Sequence, residues 1–203
     1  MAQRDRATAL LLDFDGVLRH YDAAVDHAVE DRFGLEHGTI LKTAMEPARY
    51  QKLVTGGWTR ADWLADMAYA LGIPAADLAE LTAYRGYIDH EVLAFVRDVR
   101  AAGVRVALCT NAPVDIEDDL AQLGLVEEFD AVVNSSAVGA AKPAAEFFKA
   151  ACLAVRTVPR LCLFVDDSHR NVEGARRLGI AAYRWNGVVD LPYLKAALGV
   201  AQP

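Results

Sequence analysis

Residues 10–18 read Leu-Leu-Leu-Asp-Phe-Asp-Gly-Val-Leu, an apolar run that ends in two aspartates and a glycine. Such a run predicts a strand buried on both faces of a parallel sheet. Ligands of open α/β sheets bind at the carboxyl ends of these strands, where Asp13 and Asp15 lie. If both carboxylates share one face of the strand, they need a cation or a shared proton. The segment therefore indicates a metal site or an acid/base pair. The alternative is a turn that Asp13 caps while Asp15 is solvated.

Three more apolar runs are followed by polar residues. The runs 104–109, 131–136 and 161–165 precede Thr110-Asn111, Lys142-Pro143 and Asp166-Asp167 respectively. Runs of this kind that alternate with helix-length segments predict βαβ units, here a Rossmann-like parallel sheet with helices on both faces. Because the carboxyl ends of parallel strands meet at one edge, we expect the polar residues to converge there. The expected set is Asp13, Asp15, Thr110, Lys142, Asp166 and Asp167.

The order of these motifs resembles that of the haloacid dehalogenase-like hydrolase superfamily, which is dominated by phosphatases. The segment 13–17 looks like the first family motif, Thr110-Asn111 the second, Lys142-Pro143 the third and Asp166-Asp167 the fourth. One such motif alone is a weak signal, whereas all four in order are a strong one. The resemblance covers about 1–18 and 90–190, and it implies the fold of that superfamily.

Phosphoryl transfer depends on positioning and charge neutralisation, and a carboxylate can act as its nucleophile through an aspartyl phosphate. Asp13 is the candidate nucleophile. Mg²⁺ prefers carboxylate, carbonyl and water oxygens, so it is the expected cofactor. Asp13, Asp167 and the carbonyl of Asp15 are the candidate ligands. The resemblance places Asp167 directly on the metal and Asp166 behind it, although the two could exchange roles.

The remaining catalytic roles follow from the resemblance. It makes Asp15 the acid and base that protonates the leaving group and activates water, and true dehalogenases lack that aspartate. Thr110, with the backbone amide of Asn111, would bind a phosphoryl oxygen, and Lys142 would hold Asp13 ionised. The alternative for Lys142 is an ordinary solvated lysine before a proline. Asn171 stands where the family often has a further acidic residue, which bears on metal affinity more than on reaction type.

Between the first motif and residue 88 the pattern is helical, with helices expected at 23–33, 47–54, 60–71 and 75–87 and no convincing strand. The segment resembles the small helical cap that many superfamily members carry after the first motif. We therefore predict a cap over 19–88 and a core over 1–18 and 89–203. In the cap, Gly57 and Trp58 are candidates for substrate binding alongside Asn111 of the core, because paired glycines allow close approach to a ligand. Packing between helices is the alternative for Trp58.

Composition excludes several classes of protein. The formal net charge of the 203 residues is −7 and we find no basic stripe, which argues against nucleic acid as a partner. No stretch reaches transmembrane length, so we expect a cytoplasmic enzyme rather than a membrane protein. The 3 cysteines lack the spacing of a metal site or a disulfide framework. A nucleophilic thiol at Cys109 is a minor alternative. The oligomeric state is left open between a monomer and a homodimer.

The motifs and the resemblance together predict a Mg²⁺-dependent phosphatase that acts on a small phosphorylated metabolite. A phosphomutase or other phosphotransferase would use the same core residues but would keep water from the aspartyl phosphate. A non-catalytic binding module on the same fold is a third possibility. A dehalogenase is the least favoured alternative.

Overall fold

A computed structural model describes residues 6–200 of the chain. In chain order the elements are β1 (Ala9–Leu12), β2 (Arg19–His20), α1 (Ala23–Phe33), α2 (Thr39–Ala44), α3 (Pro47–Val54), α4 (Arg60–Leu71), α5 (Ala75–Ala83), β3 (Tyr87–Ile88), α6 (His90–Ala101), β4 (Arg105–Thr110), α7 (Ile116–Gln122), β5 (Ala131–Asn134), α8 (Ser135–Val138), α9 (Ala145–Ala154), β6 (Cys162–Asp166), α10 (His169–Arg177), β7 (Ala181–Arg184) and α11 (Leu191–Leu198).

Five parallel strands form the central sheet in the order β5-β4-β1-β6-β7. The first strand lies in the middle, with Leu11 paired with Ala107 on one side and with Phe164 on the other. Its neighbours β4 and β6 match the apolar runs predicted at 104–109 and 161–165. The predicted Rossmann-like α/β fold is confirmed.

Helices cover both faces of the sheet, because alternate residues of β1 enter two different hydrophobic clusters. Leu10 and Leu12 belong to the cluster that includes residues of α6 and α11. Leu11 belongs to the opposite cluster, together with Phe147 and Phe148 of α9. This two-residue period is what a strand buried on both faces requires.

The first strand ends at Leu12, so Asp13 and Asp15 lie in the turn that follows it rather than on one face of a strand. The backbone N of Leu18 and of Arg19 both donate to the carbonyl of Phe14, at 2.9 and 2.8 Å. The expectation that the two carboxylates share a strand face was therefore wrong. The turn directs them to different partners.

Helices α1 to α5 occupy the region of the predicted cap and have a hydrophobic cluster of their own, which includes Val29, Met67 and Leu78. The predicted limits of α1, α3 and α4 are confirmed. Thr59 and Asp62 form a reciprocal capping box at the start of α4. Helix α5 ends at residue 83 rather than 87, and α2 was not predicted. The division into core and cap remains a prediction, and residues 1–5 and 201–203 of the predicted core lie outside the described residues.

The expectation of no strand in this region was wrong. The short strands β2 and β3 pair antiparallel, with Arg19 opposite Ile88 and His20 opposite Tyr87. Gly86 precedes β3 at a φ of 78°, and a Cβ there would lie 2.5 Å from the carbonyl oxygen of His20. The pair therefore depends on a glycine at this position. Strand β7, at the edge of the main sheet, was also not predicted. Within residues 6–200, no helix has both the length and the apolar character needed to cross a bilayer.

Candidate active site

Polar side chains gather at the carboxyl edge of the central sheet. Asp13 follows β1, Thr110 ends β4, and Asp166 ends β6 with Asp167 directly after it. Lys142 reaches the same edge from the loop between α8 and α9. These residues border or underlie a cleft of about 890 Å³ between the sheet edge and helix α3. The structure thus brings together five of the six side chains that were expected to converge, and Asp15 lies at the cleft but is turned towards Arg19.

Lys142 is the buried cation of the site, with 5% of its surface exposed. Its Nζ donates to Oδ1 of Asp13 at 2.6 Å, to Oδ2 of Asp166 at 2.8 Å and to the carbonyl of Cys109 at 2.8 Å. All three protons of the ammonium therefore have acceptors. Burial alone lowers the pKa of Lys142, but the two carboxylates outweigh burial and raise it above its usual value. This lysine is a permanent positive charge between two acids and not a solvated surface residue.

Asp13 is 6% exposed, and its Oδ1 also accepts a hydrogen bond from the backbone N of Phe14 at 2.7 Å. Burial raises the pKa of Asp13, whereas the charge of Lys142 opposes that rise. A carboxylate held in this way is desolvated, fixed in orientation and paired with a cation. Those are the properties of an activated oxygen nucleophile.

Asp166 is fully buried and accepts hydrogen bonds on both carboxylate oxygens. The backbone N of Ser168 donates to Oδ1 at 2.8 Å. The side-chain amide of Asn171 donates to Oδ1 and Oδ2 at 3.0 and 3.1 Å. An acidic residue in place of Asn171 could not make these bonds when ionised. Asp166 is therefore saturated by protein donors, whereas the neighbouring Asp167 is exposed.

The acidic side chains fit a hard divalent cation. Asp13, Asp166 and Asp167 each offer a carboxylate oxygen, and the three oxygens lie within 4.8 Å of one another. Partial burial and the negative charge of Asp166 raise the pKa of Asp167, with Lys142 opposing. A bound cation relieves this crowding of like charges. Oxygen donors of this kind suit Mg²⁺.

Thr110 is buried at the cleft, and its Oγ1 has no hydrogen-bond partner among the described residues. A buried hydroxyl without a partner is uncommon, because it loses the hydrogen bonds that water would give it. It therefore marks a place where a ligand oxygen can bind. The side chain of Asn111 instead holds the loop, since its Oδ1 accepts from Lys142 N at 2.8 Å and its Nδ2 donates to the Lys142 carbonyl at 3.1 Å.

Asp15 forms a two-pronged ion pair with Arg19. The Nε of Arg19 lies 2.6 Å from Oδ1 and its Nη2 lies 3.0 Å from Oδ2. Arg19 is buried against the ring of Phe14, with its guanidinium carbon 4.1 Å from the ring centroid. Burial lowers the pKa of Arg19, but its acidic neighbours raise it by more. The net pKa therefore lies above its usual value and the guanidinium stays charged. The carboxylate of Asp15 is thus held at the rim of the cleft.

Asp119 on α7 joins this ion pair to helix α4 of the predicted cap. It is buried, and Arg19 Nη1 lies 2.9 Å from its Oδ2. Arg60 of α4 and Arg85 lie 3.0 and 2.8 Å from its Oδ1. Arg60 also pairs with Asp115 through Nε at 2.8 Å and Nη2 at 3.0 Å. The predicted cap and the predicted core are therefore connected by buried charges beside the candidate acid.

The region of the predicted cap contributes different residues to the cleft from those expected. Met45, Pro47, Tyr50 and Gln51 line it, the last three from α3. Burial raises the pKa of Tyr50, so its hydroxyl stays protonated at neutral pH. The two cap residues expected to bind substrate, Gly57 and Trp58, are not among the lining residues. The ring of Trp58 packs under Lys52, whose Nζ lies 4.3 Å from the ring centroid.

The alternative of a reactive thiol at Cys109 finds no support. The side chain is fully buried in the hydrophobic cluster on one face of the sheet. Burial raises the pKa of the thiol, so the nucleophilic thiolate is disfavoured.

Three residues of the site were not predicted from the sequence: Arg19, Asp119 and Arg170. Of these three, Arg170 lines the cleft. Arg19 and Asp119 are 100 residues apart, and no local pattern predicts their pairing. For Arg170 a signal was present. It stands three residues after Asp167, in the first turn of a helix that begins at the site.

The chain matches the family model described as haloacid dehalogenase-like hydrolase over residues 7–179. It is 26% identical over 180 residues to the GMP/IMP nucleotidase YrfG of Escherichia coli, covering 84% of this chain and 79% of that protein. It is 34% identical over 94 residues to the phosphoserine phosphatase of Thermus thermophilus, covering 45% and 38%. A phosphoglycolate phosphatase of Cereibacter sphaeroides is 32% identical over 107 residues, covering 49% and 48%. The chain thus spans less than half of the length of these two phosphatases.

Solved structures share the fold. A HAD-like family hydrolase from Porphyromonas gingivalis matches with a TM-score of 0.77 at 21% identity, covering 96% of this chain and 98% of that one. A HAD family enzyme from Bacteroides thetaiotaomicron, in complex with magnesium and inorganic phosphate, matches with a TM-score of 0.73 at 21% identity, covering 89% and 94%. The L-2-haloacid dehalogenase of Xanthobacter autotrophicus matches with a TM-score of 0.68 at 21% identity, covering 88% and 77%. At these identities the likeness concerns the fold alone.

Proposed function

The chain belongs to the haloacid dehalogenase-like hydrolase family, and we propose that it is a Mg²⁺-dependent phosphatase that cleaves a small phosphomonoester. The observation that carries this proposal is the arrangement around Asp13. Its carboxylate is paired with the buried ammonium of Lys142, and the partnerless hydroxyl of Thr110 lies at the same edge. A nucleophile, a cation and a free donor at one point suit an incoming phosphoryl group.

Asp13 attacks the phosphorus atom, the ester oxygen leaves, and an aspartyl phosphate forms on Asp13. Thr110 and the backbone amide of Asn111 donate hydrogen bonds to the phosphoryl oxygens. Lys142 offsets the negative charge that builds up beside Asp13. Water then hydrolyses the aspartyl phosphate and regenerates the carboxylate. The buried position of Asp13 and the three fixed donors of Lys142 support these roles.

The residues that would hold Mg²⁺ are Asp13, Asp167 and the carbonyl of Asp15, with Asp166 behind them. When bound, Mg²⁺ neutralises the charge between the carboxylate and the phosphoryl oxygens. Protein donors already occupy both carboxylate oxygens of Asp166, which favours a place for it behind the metal ligands. The exposure of Asp167 favours its direct contact with the metal.

Asp15 protonates the leaving oxygen and then takes a proton from the attacking water. Its two hydrogen bonds with Arg19 fix the position of its carboxyl group at the cleft, which supports this role. An acid at this position favours ester hydrolysis, because the leaving alkoxide needs a proton. Dehalogenation releases a halide ion, which needs none. The phosphatase and nucleotidase names of the relatives agree with this choice.

The test is release of inorganic phosphate from a panel of small phosphomonoesters, with Mg²⁺ and with a chelator. Asp13→Asn and the exposed-site control Asp118→Asn are assayed beside the wild type, and circular dichroism verifies folding. We expect metal-dependent release that Asp13→Asn abolishes and Asp118→Asn retains. Full activity of a folded Asp13→Asn protein would refute the aspartyl phosphate. A wild type that releases no phosphate from any ester would refute the phosphatase.

A further inference from the structure

Arg170 is an exposed arginine that lines the active-site cleft beside Ser168 and Asn171. Its guanidinium forms no hydrogen bond or ion pair with any other residue between 6 and 200. The cleft's other basic lining residue, Lys142, is buried and has all of its protons engaged. Arg170 is therefore the free cation of the cleft within the part of the chain that the structure describes.

The position of Arg170 is not explained by the stability of its helix. It is the second residue of α10, whose first turn contains no acidic residue. The N-terminus of a helix carries partial positive charge, so a cation there is unfavourable. An arginine at the end of the helix would be stabilised instead, and Arg176 and Arg177 occupy that end. A residue placed against its local preference at the rim of a site points to a binding role.

The cleft has room for a leaving group between Arg170 and the cap. Asp13 and Lys142 occupy the sheet edge, and Met45, Pro47, Tyr50 and Gln51 line the cap side. The volume of about 890 Å³ exceeds what a phosphoryl group needs, since pockets of roughly 300–1,000 Å³ hold whole small-molecule ligands. An ester bound at Asp13 would thus extend its leaving group along this cleft.

We infer that Arg170 binds a second anionic group on the leaving group of the substrate. This inference rests on the proposed phosphatase function and narrows its substrate class to phosphomonoesters that also carry a carboxylate or a second phosphate. The planar guanidinium matches either group with two parallel hydrogen bonds. A nucleoside monophosphate lacks such a group on its leaving side, so its affinity would not depend on Arg170.

Binding of non-hydrolysable phosphonates tests the inference without relying on turnover. Ethylphosphonate, 2-carboxyethylphosphonate and 1,2-ethanediphosphonate share a two-carbon chain and differ in the second group. Calorimetric titration with Mg²⁺ in excess gives their affinities for the wild type, Arg170→Gln and Arg177→Gln. Arg177 is the matched control, because it is an exposed arginine at the other end of the same helix.

We expect the wild type to bind at least one of the two doubly anionic ligands about tenfold more tightly than ethylphosphonate, as one charged hydrogen-bonded pair would provide. Arg170→Gln should erase this preference and leave the affinity for ethylphosphonate unchanged, and Arg177→Gln should keep it. The ligand that shows the preference identifies a carboxylate or a phosphate as the second group.

Two results separate this inference from the proposed function. Equal weakening of all three ligands by Arg170→Gln, or no preference in the wild type, would overturn the inference even if the protein hydrolyses esters. A preference that depends on Arg170, in a protein that hydrolyses no phosphomonoester, would support the anion-binding role and refute the phosphatase.

Discussion

A Cβ atom on Gly16 would lie 2.4 Å from Oδ2 of Asp167. Gly16 also has a φ of 84°, which costs other residues roughly 1–2 kcal/mol. We predict that Gly16→Ala displaces Asp167 and raises the Mg²⁺ concentration needed for half-maximal activity. The control is Gly34→Ala, at a φ of 65° with no atom within 4 Å of the added Cβ. Both variants should lose stability in urea denaturation, but only Gly16→Ala should change the Mg²⁺ requirement.

Thr110→Val should separate catalysis from stability. The hydroxyl has no partner among the described residues, so its replacement by a methyl group removes no hydrogen bond from the folded protein. We expect an unchanged or higher melting temperature together with a fall in kcat of about a hundredfold, as for loss of one transition-state donor. Thermal denaturation and steady-state kinetics measure the two effects. Unchanged kcat would exclude Thr110 from phosphoryl binding.

The two aspartates of the fourth motif should respond differently to amide substitution. Asp167→Asn should raise the Mg²⁺ requirement strongly with little loss of stability, because Asp167 is exposed. Asp166→Asn should lower the melting temperature, because it removes one of the two carboxylates that pair with Lys142. Its effect on metal affinity should be smaller, roughly 10- to 100-fold, as for groups that orient a ligand. The reverse ranking in a Mg²⁺ titration would exchange their roles.

The loss of activity caused by Asp15→Asn should depend on the leaving group of the substrate. A p-nitrophenolate leaves without protonation, whereas an alkoxide requires a proton from a general acid. We expect kcat/KM for an alkyl phosphate to fall by about 10²–10⁴ and kcat/KM for p-nitrophenyl phosphate to fall much less. Burst kinetics with the second substrate should reveal slow hydrolysis of the aspartyl phosphate. An equal fall for both substrates would indicate that Asp15 acts only through structure.

Asp119→Ala should destabilise the protein by about 3 kcal/mol, because removal of one member of a buried ion pair leaves its partners without compensation. Arg19, Arg60 and Arg85 all contact this carboxylate. The control is Asp118→Ala on the same helix, which is exposed and should cost under about 1 kcal/mol. Chemical denaturation measures both. Equal losses for the two variants would show that the network contributes little to stability.

The strands and helices that could be predicted are those with strong local signals. Strands β1, β4 and β6 are runs of buried apolar residues, and α4 is bounded by the capping box at Thr59 and by Gly72 at a φ of 68°. The missed strands lack such signals. Strands β2 and β3 have only two residues each and exist through their pairing, and β7 is a partly exposed edge strand.

The candidate site shows the same division. Asp13, Thr110, Lys142 and the two adjacent aspartates stand at strand ends or in the loop motifs, so topology alone predicts that they meet. The ion pairs around Asp119 and the lining of the cleft by Tyr50 and Gln51 depend on how the helices pack against the sheet. No spacing in the sequence carries that information. For the same reason Gly57 and Trp58 were predicted to bind substrate. They are close in sequence to the lining residues but lie outside the cleft.

The pairing of β2 with β3 has a consequence for how this molecule could be rebuilt. Arg19 and Ile88 sit side by side, so the chain enters and leaves the helical segment at nearly the same point. For the central sheet, the whole segment between these two residues is therefore equivalent to the loop of a hairpin, whatever its length. We expect that replacing residues 21–85 by a short turn, or by the helices of another protein, with Gly86 kept, would leave the strand order of the sheet unaltered. The residues that α3 contributes to the cleft, such as Tyr50 and Gln51, would then be exchanged while Asp13, Lys142 and Arg170 stay in place.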